Sequence, residues 1–471
     1  MKSKVLLPLI ISLLAVSGCT GVKEANKEQP TSEDSSSIVE SSSSEEIKDY
    51  EEKNVEAELT PFMSGAKSSY KIPVTYKRSS FFKQSTEMDK DLAVLSFGLA
   101  ATSGVREHSN SFYQALDFDN IYFNDDYYNE ATKDTVAYGV AHRKIEGVDL
   151  VAVSLRSNDY GAEWANNFLL GEEGNHNGFD EASLKVFTGV SQYLTTNNYN
   201  LEETKLWITG YSRGGALANL LAVRVMESES LKIHAENLFT YTFEAPRAFS
   251  LENVKEYPNI HNFFNSADLV ASFAPAEYGL YRVGQDYDIY DENAGALLAE
   301  FDAGLVLPAL TTDGMEYSND IEHLTYIMQG LLKDDDFTDS DGFQPYAPTR
   351  KDFAEKYQPA IMELMRVIFS MSGQTRSEMI AALSGMQLWD YLSLLQTDGL
   401  YNFLKPYVDK DNIEYEEETL KGACNRMLKF ATNPGAVILA DFMGSSDNLK
   451  RMIYFHTFEV NYVLLKNYLN K

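Results

Sequence analysis

The stretch LWITGYSRGGALANLLAVRV, residues 206–225, constrains this chain more than any other. An apolar run of strand character ends at Gly210-Tyr211-Ser212-Arg213-Gly214, and an Ala/Leu-rich helical pattern begins at once. A serine flanked by glycines at a strand-to-helix junction fits a nucleophile elbow. In that turn the glycines admit close approach of strand and helix, and the serine sits in a strained conformation with Oγ projected outward. The next amide, that of Arg213, then lies at a helix N-terminus, where it can stabilise an oxyanion. The pentapeptide alone recurs by chance in a chain with 28 glycines. Its position between strand and helix is what gives it meaning.

Around this junction the pattern alternates. Helical periodicity covers 89–102, 180–197 and 213–228, and strand patterns cover 135–145, 148–156, 205–212, 237–245, 259–266 and 279–290. Such alternation implies an α/β fold, with helices on the faces of a mostly parallel sheet. From about 345 the strand signals stop, and helical patterns run to the end. The expected division is a hydrolase-like domain at 61–340 and a helical C-terminal extension at 341–471.

The beginning of the chain is different. Lys2 and Lys4 precede an apolar stretch of signal-peptide length, and Val16-Ser17-Gly18-Cys19 resembles a bacterial lipobox. The stretch is too short for a spanning helix. Residues 1–18 are therefore expected to be a lipoprotein signal peptide, with Cys19 the lipidated residue. Residues 20–60 carry twelve Asp and Glu against four Lys around SEDSSSIVESSSSEE. With little to bury, 19–60 is expected to be a disordered tether. With Cys19 lipidated, the one remaining cysteine, Cys424, has no disulfide partner and reads as a buried small hydrophobe. The formal charge of −30 argues against a nucleic-acid partner, which needs a basic footprint. The expected location is extracytoplasmic, on a membrane through the lipid anchor.

A nucleophilic serine needs a base, and the base needs an acid to orient it. The order serine, acid, base leaves His234, His261, His323 and His456 downstream of Ser212. His234 has no acid-bearing loop before it, and His261 lies inside a strand pattern. His323 and His456 remain. The blocks ITGYSRGGALANLLA, YTFEAPRAF, FFNSADLVASFAP and IEHLTYI resemble successive motifs of the class 3, fungal-type lipases, α/β-hydrolases that act on lipid esters. The resemblance covers about 80–330. It implies Asp268 as the triad aspartate, His323 as the triad histidine, and the amides of Arg213 and Asn158 as the oxyanion hole. Asn158 stands where the family usually carries Ser or Thr, and Arg282 where it often carries a histidine. Only WANNFLL offers an apolar element where the family has its lid.

Other signals carry less. DDDFTDSDGF (334–343) in calcium-loop register would place Phe337 at the first ligand position and lacks the closing glutamate, so it reads as a solvated acidic loop. His176 has no Cys or His at metal spacing and reads as structural. No metal or organic cofactor is expected. His456, within MIYFHTFEVNYVLL, reads as a packing residue of an apolar helix, and the extension as either a cap for the site or a purely structural helical buttress. The function expected is that of a serine hydrolase of acylglycerol-type esters. The alternatives are an esterase or acyltransferase on soluble or cell-wall esters, and an inactive surface-binding lipoprotein.

Overall fold

The computed structural model describes residues 52–60, 69–129, 132, 135–156, 163, 166–167, 169–250, 256–268, 270–271, 278–291, 293–294, 296–297, 350–384, 393–394, 396–432 and 455–471. Cys19, Asn158 and His323 lie outside them.

Among the described residues, seven strands form the central sheet. They are β3 (Asp119–Phe123), β4 (Tyr138–Ile145), β5 (Val148–Leu155), β6 (Lys205–Tyr211), β7 (Leu238–Phe243), β9 (Ile260–Phe264) and β11 (Gln285–Asp288), in spatial order β11-β9-β7-β6-β5-β4-β3. β11, β9, β7, β6 and β5 are parallel, while β4 and β3 add on in antiparallel fashion. Glu146 and Gly147 make the β4–β5 turn, both at positive φ. Two small two-stranded antiparallel sheets flank the central one: β1 (Glu52–Leu59) with β2 (Tyr70–Lys77), and β8 (Phe249–Ser250) with β10 (Leu280–Tyr281). The pattern at 279–290 is thus two short strands, broken at Gly284, whose φ is 103°.

Period-two alternation along the central strands divides the core into two layers. Leu206, Ile208 and Leu238 face α3 (Asn177–Thr196) and α4 (Arg213–Glu227). Trp207, Tyr211, Tyr241 and Phe243 face α1 (Lys90–Thr102) and the C-terminal helix (Phe458–Asn470). This is an α/β-hydrolase architecture with a mostly parallel sheet. A helix α2 (Arg106–Ala115) covers the antiparallel edge.

Two boundaries differ from the sequence reading. Residues 52–59, assigned there to the tether, form β1. Its glutamates occupy one face, and Val55, Ala57 and Leu59 turn inward against the core. Acidic composition hid a clean alternation. The second correction is at the other end. Helices α5 (Arg350–Lys356), α6 (Gln358–Ser370), α7 (Gly373–Ser384), α8 (Gly399–Lys410) and α9 (Glu417–Thr432) do form a helical region. The last helix, α10 (Phe458–Asn470), instead belongs to the hydrolase core.

Phe458, Val460, Tyr462, Leu464 and Leu465 of α10 are buried in the layer that holds α1. Phe97 of α1 packs edge-on against Tyr211, Phe243 and Phe458, and the Tyr462 hydroxyl donates to Pro73 O at 2.7 Å. At roughly 1.5–3 kcal/mol for each large apolar side chain buried, α10 is integral to the domain. The core is not complete by residue 340.

Candidate active site

β6 runs straight into the elbow. Ser212 has φ 53° and ψ −128°, a conformation that costs a non-glycine residue about 1–3 kcal/mol. The surrounding fold holds it there. The Ser212 amide donates to Phe243 O at 2.8 Å, and its carbonyl accepts from the Ala216 amide at 3.1 Å. A Cβ on Gly210 would stand 2.2 Å from Gly214 O, and one on Gly214 would stand 2.7 Å from both Leu155 O and Arg156 O. Both positions require glycine for close approach. Arg213 opens α4, so its amide sits at the positive end of the helix.

Asp268 lies four residues past the end of β9. Its amide donates to Asn265 O at 2.8 Å, and its Oδ1 accepts from the Val270 amide at 2.9 Å. Its Oδ2 accepts from His456 Nδ1. With that proton on Nδ1, His456 Nε2 is an acceptor, and the Ser212 Oγ–H donates to it at 2.8 Å. Ser212, His456 and Asp268 are buried, and burial pushes the His456 imidazole down to about 4. A neutral histidine is the form that can take the serine proton.

The histidine at Ser212 is therefore His456, and this corrects the assignment of His323. Thr457 explains the difference. Its side chain accepts from the Val460 amide, so it is the N-cap of α10 and the helix starts one residue after it. His456 precedes the cap and points to the elbow instead of lying on the helix's apolar face. A threonine ahead of an apolar run is a cap signal, and reading it would have freed His456 from the helical pattern.

Two further arrangements hold the site. Asn461 Nδ2 donates to Phe455 O at 2.8 Å and Thr457 O at 3.2 Å, on either side of His456, and to the Tyr211 hydroxyl at 2.8 Å. The Tyr211 hydroxyl in turn donates to His456 O at 3.2 Å. The residue before the nucleophile thus grips the segment carrying the base. On the other side, the Arg213 side chain is buried, donating to Thr135 O at 2.9 Å and pairing with Glu163 at 3.5 Å. Arg156 Nη2 donates to the same carboxylate at 2.7 Å. Burial pushes Glu163 up, against the pull of its two arginines. Sequence reasoning missed Tyr211, Asn461, Glu163 and Arg156, whose roles depend on contacts between distant segments.

The other sequence candidates are structural. His176 is buried, stacked on Phe179 with ring centroids 4.0 Å apart, and its Nε2 bonds Asn167 O at 3.1 Å. Desolvation holds it near 3. His261 lies in β9 and bonds Ser85 O through Nε2 at 2.9 Å. Arg282 lies over the Phe264 ring at 4.4 Å and donates to Ala245 O and Ala271 O. Cys424 is buried in α9.

Residues 153–278 match the family model described as Lipase (class 3). Among solved structures, the chain resembles Rhizomucor miehei triacylglyceride lipase at 20% identity, over 43% of this chain and 80% of that one, with a TM-score of 0.32. It also resembles a lipase from Rhizopus microsporus var. chinensis at 18% identity, over 42% and 74% of the two chains, with a TM-score of 0.31. Lipase II from Rhizopus niveus is similar at 16% identity, over 45% and 81%, with a TM-score of 0.32. No curated protein sequence matches the chain. An α/β-hydrolase sheet with a strained serine bonded to a buried histidine, within a segment matching the class 3 lipase model, defines a serine ester hydrolase. The matched segment contains Ser212 and Asp268 but ends upstream of His323 and His456. The choice of histidine rests on geometry.

Proposed function

We propose that this chain hydrolyses acylglycerol-type lipid esters through a triad of Ser212, His456 and Asp268, and that it works from a membrane to which lipidated Cys19 anchors it. The observation that carries the catalytic reading is the 2.8 Å hydrogen bond from Ser212 Oγ to His456 Nε2 on an elbow at φ 53°.

In this reading Ser212 Oγ attacks the ester carbonyl as His456 takes its proton. The tetrahedral oxyanion is held by the Arg213 amide at the head of α4, with Asn158 as the second donor. His456 returns the proton to the leaving alcohol, forming an acyl-enzyme. Water, deprotonated by the same histidine, then releases the fatty acid. Asp268 orients the ring and stabilises the imidazolium that forms in each half-reaction. The helix dipole of α4 adds to oxyanion stabilisation.

The lipid substrate is supported by the class 3 lipase match over 153–278. For the anchor, the lipobox-like Val16-Ser17-Gly18-Cys19 is the support. Among the described residues no helix is long and apolar enough to cross a membrane. Mass spectrometry of the mature N-terminus decides this part: a diacylated Cys19 is expected, and an unmodified terminus downstream of it refutes the anchor.

The hydrolase is tested with a chain-length series of nitrophenyl esters, with and without an oil–water interface. Turnover is expected, and Ser212→Ala should lower kcat by roughly 10⁴- to 10⁶-fold in a folded protein. Unchanged turnover in that variant rules out the assignment.

A further inference from the structure

The triad aspartate does not stand alone in its pocket. Glu244 follows β7 directly, one residue after Phe243, whose carbonyl holds the Ser212 amide. It is fully buried and sits at φ 48°, in the left-handed region that a residue with a side chain rarely occupies. Its own amide donates to Phe263 O at 2.9 Å, and its Oε2 accepts from the Asn265 amide at 3.0 Å. Asn265 also starts the turn that delivers Asp268. The other carboxyl oxygen, Oε1, is buried with no N–H or O–H donor to it, and the Glu244 carboxyl lies beside that of Asp268.

Two carboxylates sealed from water beside each other cannot both ionise. The donors around them decide which one keeps the proton. Asp268 receives the Val270 amide and His456 Nδ1, while Glu244 receives one amide. Desolvation pushes both carboxyls up, Glu244 further because Asp268 adds to the effect. Among the described residues, the ionisable groups that act on the pair include His456, Tyr211 and Arg282. Arg282 favours the charged form of Asp268.

We propose that Glu244 is a positioning residue, a neutral carboxylic acid that donates its O–H to Asp268 and leaves a single negative charge facing His456. This deepens the triad reading and rests on it. Glu244 touches neither substrate nor serine. It acts through Asp268, fixing which oxygens remain for the imidazole and preventing a second charge from entering the pocket.

The test uses two variants of the full chain that keep the side-chain length. Glu244→Gln replaces the O–H donor with N–H and still offers an oxygen to the Asn265 amide. Glu244→Met removes the donor. All three side chains meet the same backbone strain, so that effect cancels. Glu244→Met is expected to lower kcat about tenfold with KM nearly unchanged, the loss of one hydrogen bond in the transition state. It should also move the acid limb of kcat/KM upward by about one pH unit, because an Asp268 without its donor binds a proton more tightly. Glu244→Gln is expected to restore both toward wild type.

The opposite sign overturns the proposal. If Glu244 were ionised, removing its charge would lower the proton affinity of the His456–Asp268 couple, and both variants would shift the limb downward. A second readout needs no activity and survives failure of Glu244→Met to fold. The wild-type minus Glu244→Gln infrared difference spectrum at neutral pH should show one protonated-carboxyl band, that of Glu244, because any other buried acid, Glu163 included, contributes equally to both. A difference spectrum without that band overturns the assignment, whereas absence of ester turnover with the band present would fault only the hydrolase reading.

Discussion

Asn461 is the side chain on which the placement of the base depends most. Replacement by leucine keeps the approximate volume while removing the amide that bonds Phe455 O at 2.8 Å, the Tyr211 hydroxyl at 2.8 Å and Thr457 O at 3.2 Å. One amide nitrogen has two hydrogens, so two good bonds are lost. Asn461 Oδ1 also gives up the bond it accepts from the Asn265 side-chain Nδ2, at 3.3 Å. Each bond is worth about 1 kcal/mol net, and leaving buried polar groups against an apolar side chain adds more, for a total of about 2–4 kcal/mol. That loss should appear in urea unfolding as a lower midpoint at unchanged slope. The catalytic effect follows from position. His456 lies between the two carbonyls that Asn461 holds, and a displacement of about 1 Å in a catalytic group can cost about a hundredfold in rate. Asn461→Leu should therefore lower kcat by about that factor while KM changes little. Wild-type stability and wild-type kcat together would refute the reasoning, since the network would then hold nothing.

Three other outcomes follow from the same geometry. Gly214→Ala puts a methyl group 2.7 Å from two backbone carbonyl oxygens, so it should destabilise the protein by about 1–3 kcal/mol and lower kcat at least about tenfold; a silent variant in both assays contradicts the close approach. Burial holds His456 near 4, and only the neutral imidazole accepts the serine proton, so kcat/KM should fall as pH drops toward 4 and not at the ordinary 6.5; a limb at or above 6.5 contradicts this. Arg350 is buried and donates to Gly171 O at 2.8 Å, Gly174 O at 2.6 Å and Asn175 O at 2.7 Å, so Arg350→Met should cost about 2–4 kcal/mol in urea unfolding; an unchanged midpoint would show that this guanidinium does not secure the helical region.

The features legible in the sequence are those written in contiguous residues. Strand, turn and helix at 206–225 contain the elbow in one piece, so Ser212 and Arg213 could be placed without tertiary knowledge. Asp268 was legible through the family resemblance alone. The base was not, for two physical reasons. It lies 244 residues from the serine, and its apolar neighbours mimic a continuous helix that in fact begins after Thr457. The resemblance then favoured His323, and the cap idea for the extension followed from that choice. Truncation near 340 removes His456, so it cannot leave an active triad. Strand β1 was hidden by composition: Glu52, Glu56 and Glu58 are the solvent face of a strand whose other face is core. Glu244 could not be found from sequence, because its meaning lies in proximity to Asp268.

The most direct test of the Ser212–His456–Asp268 assignment is labelling by a fluorophosphonate, which reacts with an activated serine. Wild type and His323→Ala should both be labelled, whereas His456→Ala should lose labelling and about 10⁴-fold or more of kcat while remaining folded. Labelling that survives in His456→Ala and disappears in His323→Ala would contradict the assignment.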